Sequence, residues 1–232
     1  MNAATTSDAP VRHVVWDWNG TLIDDAWLCV EIMDAMLRAR GLPGLTRERY
    51  AELFDFPVRD YYLRLGVDFA RDPFEVIGAE FIREYERRKT ECVLQPGAAE
   101  RVRSLARAGV GQTVVSAYHE RTLRELLSRF GLDGWLSGIV GGGDIYAAGK
   151  LDRAMAWFRS SGLQGETILV VGDTLHDAEM ARAMGARCWL LCAGHQSRRR
   201  LETAACPVFD RFADLPWDGA GLAAGGPPVL EL

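Results

Sequence analysis

Short apolar runs that end in polar, turn-forming residues alternate along this chain with stretches whose apolar residues recur every three to four positions. Residues 11–17 (VRHVVWD) are the first such run, closed by an acid and a Gly-Thr turn, and the pattern predicts a buried strand. Similar runs at 112–116, 137–140, 167–173 and 187–192 predict four more strands, with a short sixth at 207–210. Between them, residues 119–130 place Leu123, Leu126, Leu127 and Phe130 on one helical face before Gly131. Residues 150–161 and 177–184 read the same way, the latter closed by Gly185. Strands alternating with helices predict βαβ units, hence a doubly wound parallel α/β sheet covered on both faces.

Residues 24–92 break this rhythm. Residues 24–40 are helical up to Gly41, and no strand is evident in the segment. Asp72-Pro73-Phe74-Glu75 predicts a capped helix start, with Asp72 as the cap and Pro73 in the first turn. Phe74, Ile77, Phe81 and Tyr85 then follow at helical spacing. The expected organisation is a core of residues 11–23 and 93–216, an inserted all-helical domain at 24–92, and a Gly/Ala/Pro-rich, loosely packed tail at 217–232.

Composition narrows the function classes. Across 232 residues, 48% are hydrophobic and 25% charged, the balance of a globular protein. Lys+Arg 27 against Asp+Glu 32 leaves a net charge of −5, with no footprint for nucleic acid or an anionic membrane surface. Five cysteines, without paired metal-ligand spacing, read as reduced thiols of a cytoplasmic protein. The start of the chain carries no signal-peptide pattern, and no apolar window is long enough to span a bilayer. The expected state is a monomer or weak homo-oligomer.

Ligands of open α/β sheets bind beyond the carboxyl ends of the strands. There the chain places Asp17-Trp18-Asn19-Gly20-Thr21, Ser116, and Gly172-Asp173-Thr174-Leu175-His176-Asp177, with Lys150 opening a helix nearby. Carboxylates with few basic neighbours suit Mg²⁺, and a lysine and a hydroxyl beside that metal suit a phosphoryl group. Lys150 is one of only two lysines, the other being Lys89, which makes its position more informative.

In this order and spacing, DWNGTLIDD at 17–25, Ser116, Lys150 and GDTLHD at 172–177 resemble the four motifs of the haloacid dehalogenase superfamily, in its phosphoglycolate-phosphatase-like branch. The helical insertion resembles that family's type 1 cap. The resemblance implies a Mg²⁺-dependent phosphatase acting on a small phosphorylated metabolite, phosphoglycolate or a sugar phosphate. Asp17 would be the nucleophile and form an aspartyl-phosphate. Ser116 and Lys150 would hold phosphoryl oxygens. Asp17, Asp173 and the Asn19 backbone carbonyl would bind the metal, with Thr21 supporting the site and Asp177 orienting Lys150 or a metal-bound water.

The chain departs from the family at Asn19, where the pattern has a second acid that protonates the leaving group and then activates water. An amide does neither, and such help is typically worth ~10²–10⁴-fold. Two alternatives therefore stand beside hydrolysis: a catalytically weakened protein that binds a phosphorylated ligand or partner, and a phosphotransferase. Carbon–phosphorus cleavage needs a Schiff-base lysine in the cap, where only Lys89 is available. His119 and His176 follow motif strands within reach of the site, although both read first as helix-start residues; His13 reads as structural or exposed. Trp16 is expected in the core and Trp18 in the pocket wall. Tyr61, Tyr62, Phe81 and Tyr85 are expected chiefly in the cap core, with room for one to touch substrate.

Overall fold

The computed structural model describes residues 9–143 and 149–217. Its centre is a six-stranded, all-parallel sheet in the order β5-β4-β1-β6-β7-β8. The strands are β1 (His13–Trp16), β4 (Gly111–His119), β5 (Gly138–Gly142), β6 (Ile168–Gly172), β7 (Arg187–Leu191) and β8 (Val208–Phe209). Side chains alternate across a strand, so the continuous apolar runs serve two faces. Val14, Trp16, Val114 and Val171 join one apolar cluster, while Val15, Val115, Val170 and Leu190 join another. Helices α5 (Ala98–Arg107) and α6 (Glu120–Arg129) cover the first face, and α7 (Lys150–Ser161) and α8 (Leu175–Met184) the second.

The segment between β1 and α5 carries α1 (Ala26–Ala39), α2 (Arg47–Leu53), α3 (Val58–Arg64) and α4 (Phe74–Arg88). Two details differ from the sequence reading. A two-residue ribbon, β2 (Ile23–Asp24) against antiparallel β3 (Val93–Leu94), closes the neck of this segment. Two residues are too few to leave a periodic signal. The cap of α4 is Pro73, and Asp72 instead pairs with Arg40 at 3.1 Å. A guanidinium 32 residues away outcompetes the local capping bond.

The helical segment is also tied to the loop after β7. Ser197 N donates to Ala51 O at 3.1 Å and Gln196 Nε2 to Phe54 O at 3.0 Å, while Arg200 Nη2 meets Asp55 at 2.8 Å. The run of three arginines Arg198–Arg200 thus makes defined contacts, and a short helix, α9 (Arg198–Leu201), carries it. Trp217 opens the segment expected to be loosely packed, yet it is buried against Trp16, Trp189 and Phe212. The rest of that segment lies outside the described residues. Among the described residues, no helix is long and apolar enough to cross a membrane.

His13 is structural. Its Nε2 pairs with Thr113 Oγ1 at 2.9 Å, its ring lies 5.5 Å from Trp157, and burial lowers its pKa to about 4. The unfolded chain therefore binds a proton more readily, so stability held above pH 6.5 is lost as pH falls toward 4, by about 3 kcal/mol from this group. His13→Gln keeps a hydrogen-bonding side chain without the titration. Urea unfolding of the two proteins at pH 7 and pH 4.5 should show the wild type losing more stability by about that amount. Parallel losses would remove His13 as the cause.

Candidate functional site

The first strand hands the chain directly into the site. Asp17 N donates to Val171 O at 2.9 Å, which continues the β1–β6 pairing one residue past β1. A tight turn follows, in which Leu22 N and Ile23 N both donate to Trp18 O. Gly20 makes this possible: its φ is +78°, and a Cβ there would collide with the Asp173 carboxylate and the His195 ring. The turn thereby lies against Asp173, to which Thr21 Oγ1 donates at 2.8 Å.

Asp173 follows β6, and Asp177 sits in the first turn of α8. Asp177 Oδ2 accepts from Thr174 N at 3.1 Å and Thr174 Oγ1 at 2.7 Å, closing a capping box at the positive end of the helix. Its Oδ1 accepts from Lys150 Nζ at 2.6 Å. Helix capping and lysine placement are therefore one job of the same carboxylate. Lys150, the first residue of α7, reaches Asp17 Oδ1 with the same ammonium at 2.5 Å. Ser116, 1% exposed, completes this edge; its Oγ accepts from Tyr118 N at 3.0 Å and lies 3.4 Å from Asn19 Oδ1.

Oxygens of Asp17, Asp173 and Asp177 lie within 4.8 Å of one another, an all-oxygen donor set able to hold a metal ion. Within it, Asp177 is committed: both its oxygens are taken by Lys150, Thr174 and the Asp173 backbone N–H. Lys150 takes only Oδ1 of Asp17, and among the described residues Oδ2 has no hydrogen-bond donor. Asp17 Oδ2 is thus the carboxylate oxygen left open to a cation, and beside it stands Asp173, whose oxygens accept only from the neutral donors Thr21 Oγ1 and the His195 N–H and from no ammonium. Electrostatics agree with this division. Lys150 and hydrogen bonds overcome the cost of burial at Asp177 and hold its carboxyl below the usual range. At Asp17, burial, reinforced by Asp177 and Asp173, outweighs Lys150 and pushes the carboxyl well up. Asp173 is likewise raised, chiefly by burial. One ammonium does not neutralise three buried carboxylates, which is the charge imbalance a divalent ion offsets.

Asn19 belongs to a second network. Its Nδ2 donates to Asp25 Oδ2 at 2.7 Å and to Tyr85 Oη at 3.0 Å, while Tyr85 Oη itself donates to Asp25 Oδ2 at 2.7 Å. Behind Asp25 stands His195, with Nε2 at 3.4 Å from Asp25 Oδ1 and Nδ1 at 2.7 Å from Tyr50 Oη. The His195 backbone N–H donates to Asp173 Oδ2 at 2.6 Å. Burial would raise the Asp25 carboxyl, but His195, Asn19 and Tyr85 together hold it below the usual range. Burial would lower His195, and Asp25 and Asp173 reverse that into a raised pKa. Asp25 and His195 are thus an ion pair facing the position of the absent second acid. Sequence reasoning quoted Asp25 only within a motif and passed over His195. The strand predicted at 187–192 runs straight into Ala193-Gly194-His195, and the position just past a strand end is the signal that marks the histidine.

The other expectations divide. His119 ends β4 and lines the cavity beside Ser116, whereas His176 pairs with Glu179 at 3.3 Å, packs on Phe56 and is not among the cavity residues. Trp18 is fully buried and packs against Phe130 rather than walling the pocket. Lys89 pairs with Glu86 at 2.6 Å and is not among the cavity residues. Tyr61, Tyr62, Phe81 and Tyr85, expected chiefly in the cap core with one reaching substrate, all line the cavity, a space of about 430 Å³ between the strand ends and α1–α4 with Asp17, Ser116 and Lys150 at its floor.

Comparisons with known proteins agree with this geometry. The family model for haloacid dehalogenase-like hydrolases matches residues 14–191. Phosphoglycolate phosphatase 1 of Pseudomonas aeruginosa is 29% identical over 213 residues, covering 88% of this chain and 78% of that protein. A phosphoglycolate phosphatase of Synechococcus elongatus is 26% identical, covering 90% of this chain and 95% of that protein. Among solved structures, a predicted phosphoglycolate phosphatase from Haemophilus somnus superposes with a TM-score of 0.69 at 21% identity, covering 88% of this chain and 96% of that one. Six parallel strands with helices on both faces, and a motif match spanning more than three quarters of the chain, leave one assignment: the protein belongs to the haloacid dehalogenase-like hydrolase family.

Proposed function

We propose that the protein is a Mg²⁺-dependent phosphatase that hydrolyses a small phosphorylated metabolite through an aspartyl-phosphate on Asp17. The observation that carries this reading is the ammonium of Lys150 lodged between Asp17 and Asp177 at the floor of a cavity. Lys150 fixes Oδ1 of Asp17, so that one carboxylate oxygen can face the cation while the other attacks phosphorus. In-line attack by that oxygen forms the acyl phosphate as the ester oxygen departs. Lys150 and the Ser116 hydroxyl hold phosphoryl oxygens and offset their charge. Asp17, Asp173 and the Asn19 carbonyl would hold Mg²⁺, which supplies charge neutralisation between the carboxylate and the phosphate dianion. Residues 24–92 serve as the cap over a core of 11–23 and 93–216, excluding water and selecting the substrate. The phosphoglycolate phosphatases among the relatives make phosphoglycolate the first substrate to try, with sugar phosphates beside it.

The test is phosphate release from a panel of monoesters, with and without chelator, together with acid-quench trapping of labelled enzyme. Release that depends on divalent metal, with label on Asp17, is the expected result. Full turnover in excess chelator, or label on another residue, would sink the mechanism. Ligand binding with neither label nor release would favour the weakened, ligand-binding reading that Asn19 suggests, and label passed to an added alcohol would favour a phosphotransferase.

A further inference from the structure

We infer that the group carrying the phosphate is an aromatic ring, so that the natural substrate is an aryl phosphate and not a phosphorylated carboxylic acid. The inference rests on the phosphatase reading above and adds the class of leaving group. It follows from what stands over the catalytic floor. Phe54, Tyr61, Tyr62, Phe74 and Phe81 from the helical segment, with Tyr118 from β4, surround a space of about 430 Å³. Pockets of that size take a ligand well beyond a two-carbon acid. Aromatic walls gain from edge and face contacts with a ring and offer little to a small dianion.

Charge points the same way. A carboxylate taken out of water needs a cation or several donors. Of the basic side chains lining the cavity among the described residues, Lys150 is already held by two carboxylates, His195 by Asp25, and Arg121 is largely exposed at the rim beside Glu125, which leaves the one imidazole of His119 beside Ser116. The acidic lining groups outside the floor, Asp25 and Glu86, are taken up by His195 and Lys89 and offer no donor to a second anion. The hydroxyls nearest the walls are also spent: Tyr50 on His195, Tyr85 on Asp25, Tyr118 on Glu86. Tyr61 stands apart from these three, because its hydroxyl is buried without a hydrogen-bond partner. A single polar substituent on a ring would satisfy it.

Asn19 gives an independent reason. Without an acid to protonate the departing oxygen, the reaction favours esters whose oxygen leaves unaided, and phenolates do so far better than alkoxides.

The test uses the full-length protein with Mg²⁺ and two readouts. Steady-state turnover compares phenyl phosphate and 1-naphthyl phosphate with phosphoglycolate and glucose 6-phosphate. Calorimetry compares two non-hydrolysable ligands, benzylphosphonate and 3-phosphonopropionate. Expected are a kcat/KM at least about tenfold higher for the aryl esters and a Kd about tenfold or more lower for benzylphosphonate, the return from burying one ring. Phosphoglycolate turned over as well as the aryl esters, or 3-phosphonopropionate bound as tightly as benzylphosphonate, would overturn the inference and leave the phosphatase reading intact. No turnover of any ester, with benzylphosphonate still preferred, would remove the phosphatase reading and keep the aromatic specificity of the cavity.

Discussion

Asp17→Asn is expected to lower phosphomonoester turnover by roughly 10⁴-fold or more while leaving the melting temperature unchanged or higher. The first half follows from the reading of Asp17 as nucleophile, since an amide oxygen does not form the acyl phosphate. The second half follows from its surroundings. Asp17 is buried beside Asp173 and Asp177, and its carboxyl is pushed well above the usual range. A carboxyl raised on folding costs stability, and that cost grows as pH rises from the ordinary carboxylate range to the raised value. Removing the charge relieves the cost while Asp177 still partners Lys150. Lys150→Met should behave in the opposite way. It strips the one ammonium from a buried cluster of three carboxylates, and breaking such a pair typically costs about 3–5 kcal/mol. Turnover assays and thermal melts of both variants, in chelated and Mg²⁺-containing buffer, check the pair. A large fall in melting temperature for Asp17→Asn would show that Asp17 is a structural ion-pair partner first.

Exchanging the polar identities of positions 19 and 25 should restore turnover of alkyl phosphates by up to ~10²–10⁴-fold, relative to the native protein. The single change Asn19→Asp is the obvious experiment, but the structure shows why it falls short. Asn19 Nδ2 donates to Asp25 at 2.7 Å, so an aspartate there would set two carboxylates against each other in a buried site. The double variant Asn19→Asp, Asp25→Asn keeps the net charge and one hydrogen bond across the gap. It provides a carboxyl two residues after the nucleophile, where it can reach the departing oxygen and afterwards a water. The gain should be large for alkyl esters and small for nitrophenyl phosphate, whose phenolate leaves without a proton. Equal gains for both esters would mean that the double change acts on binding. No gain for either would mean that residue 19 does not set leaving-group dependence.

The lessons of these residues differ in kind. The continuous runs of Val14–Trp16, Val114–Val115 and 168–171 could be read from sequence because a strand buried on both faces must be apolar throughout. Asp17, Asp173 and Asp177 could be placed on one edge because strand ends of a parallel sheet converge there. What escaped is held by partners distant in the chain. The antiparallel neck Ile23–Asp24 with Val93–Leu94 joins strands about 70 residues apart, and neither half has a signature of its own. Helices α2 and α3 are seven residues each, and α2 is short enough that its start is set by Thr46 capping and its end by docking on the 193–200 loop. His195 becomes chemically interesting only when α2 delivers Tyr50 and the first turn delivers Asp25. Trp18 was misplaced because the turn after β1 cancels the alternation that its neighbours obey; it packs inward on Phe130.

The two-residue neck also bears on how such a molecule is assembled over evolutionary time. Ile23 lies opposite Leu94, so the chain leaves the sheet and returns to it at neighbouring positions on one ribbon. A segment whose ends are already joined adds little to the entropy of closing the loop, whatever its length. The four helices between those ends are therefore a graft in the horticultural sense. Their number, length and wall chemistry are free to change by exchange or duplication, while the strand order and the carboxylates beneath keep their places. The ties from α2 and its following turn to the 193–200 loop, and from Tyr85 and Glu86 of α4 to Asn19 and Tyr118, demand that a replacement fit the rootstock.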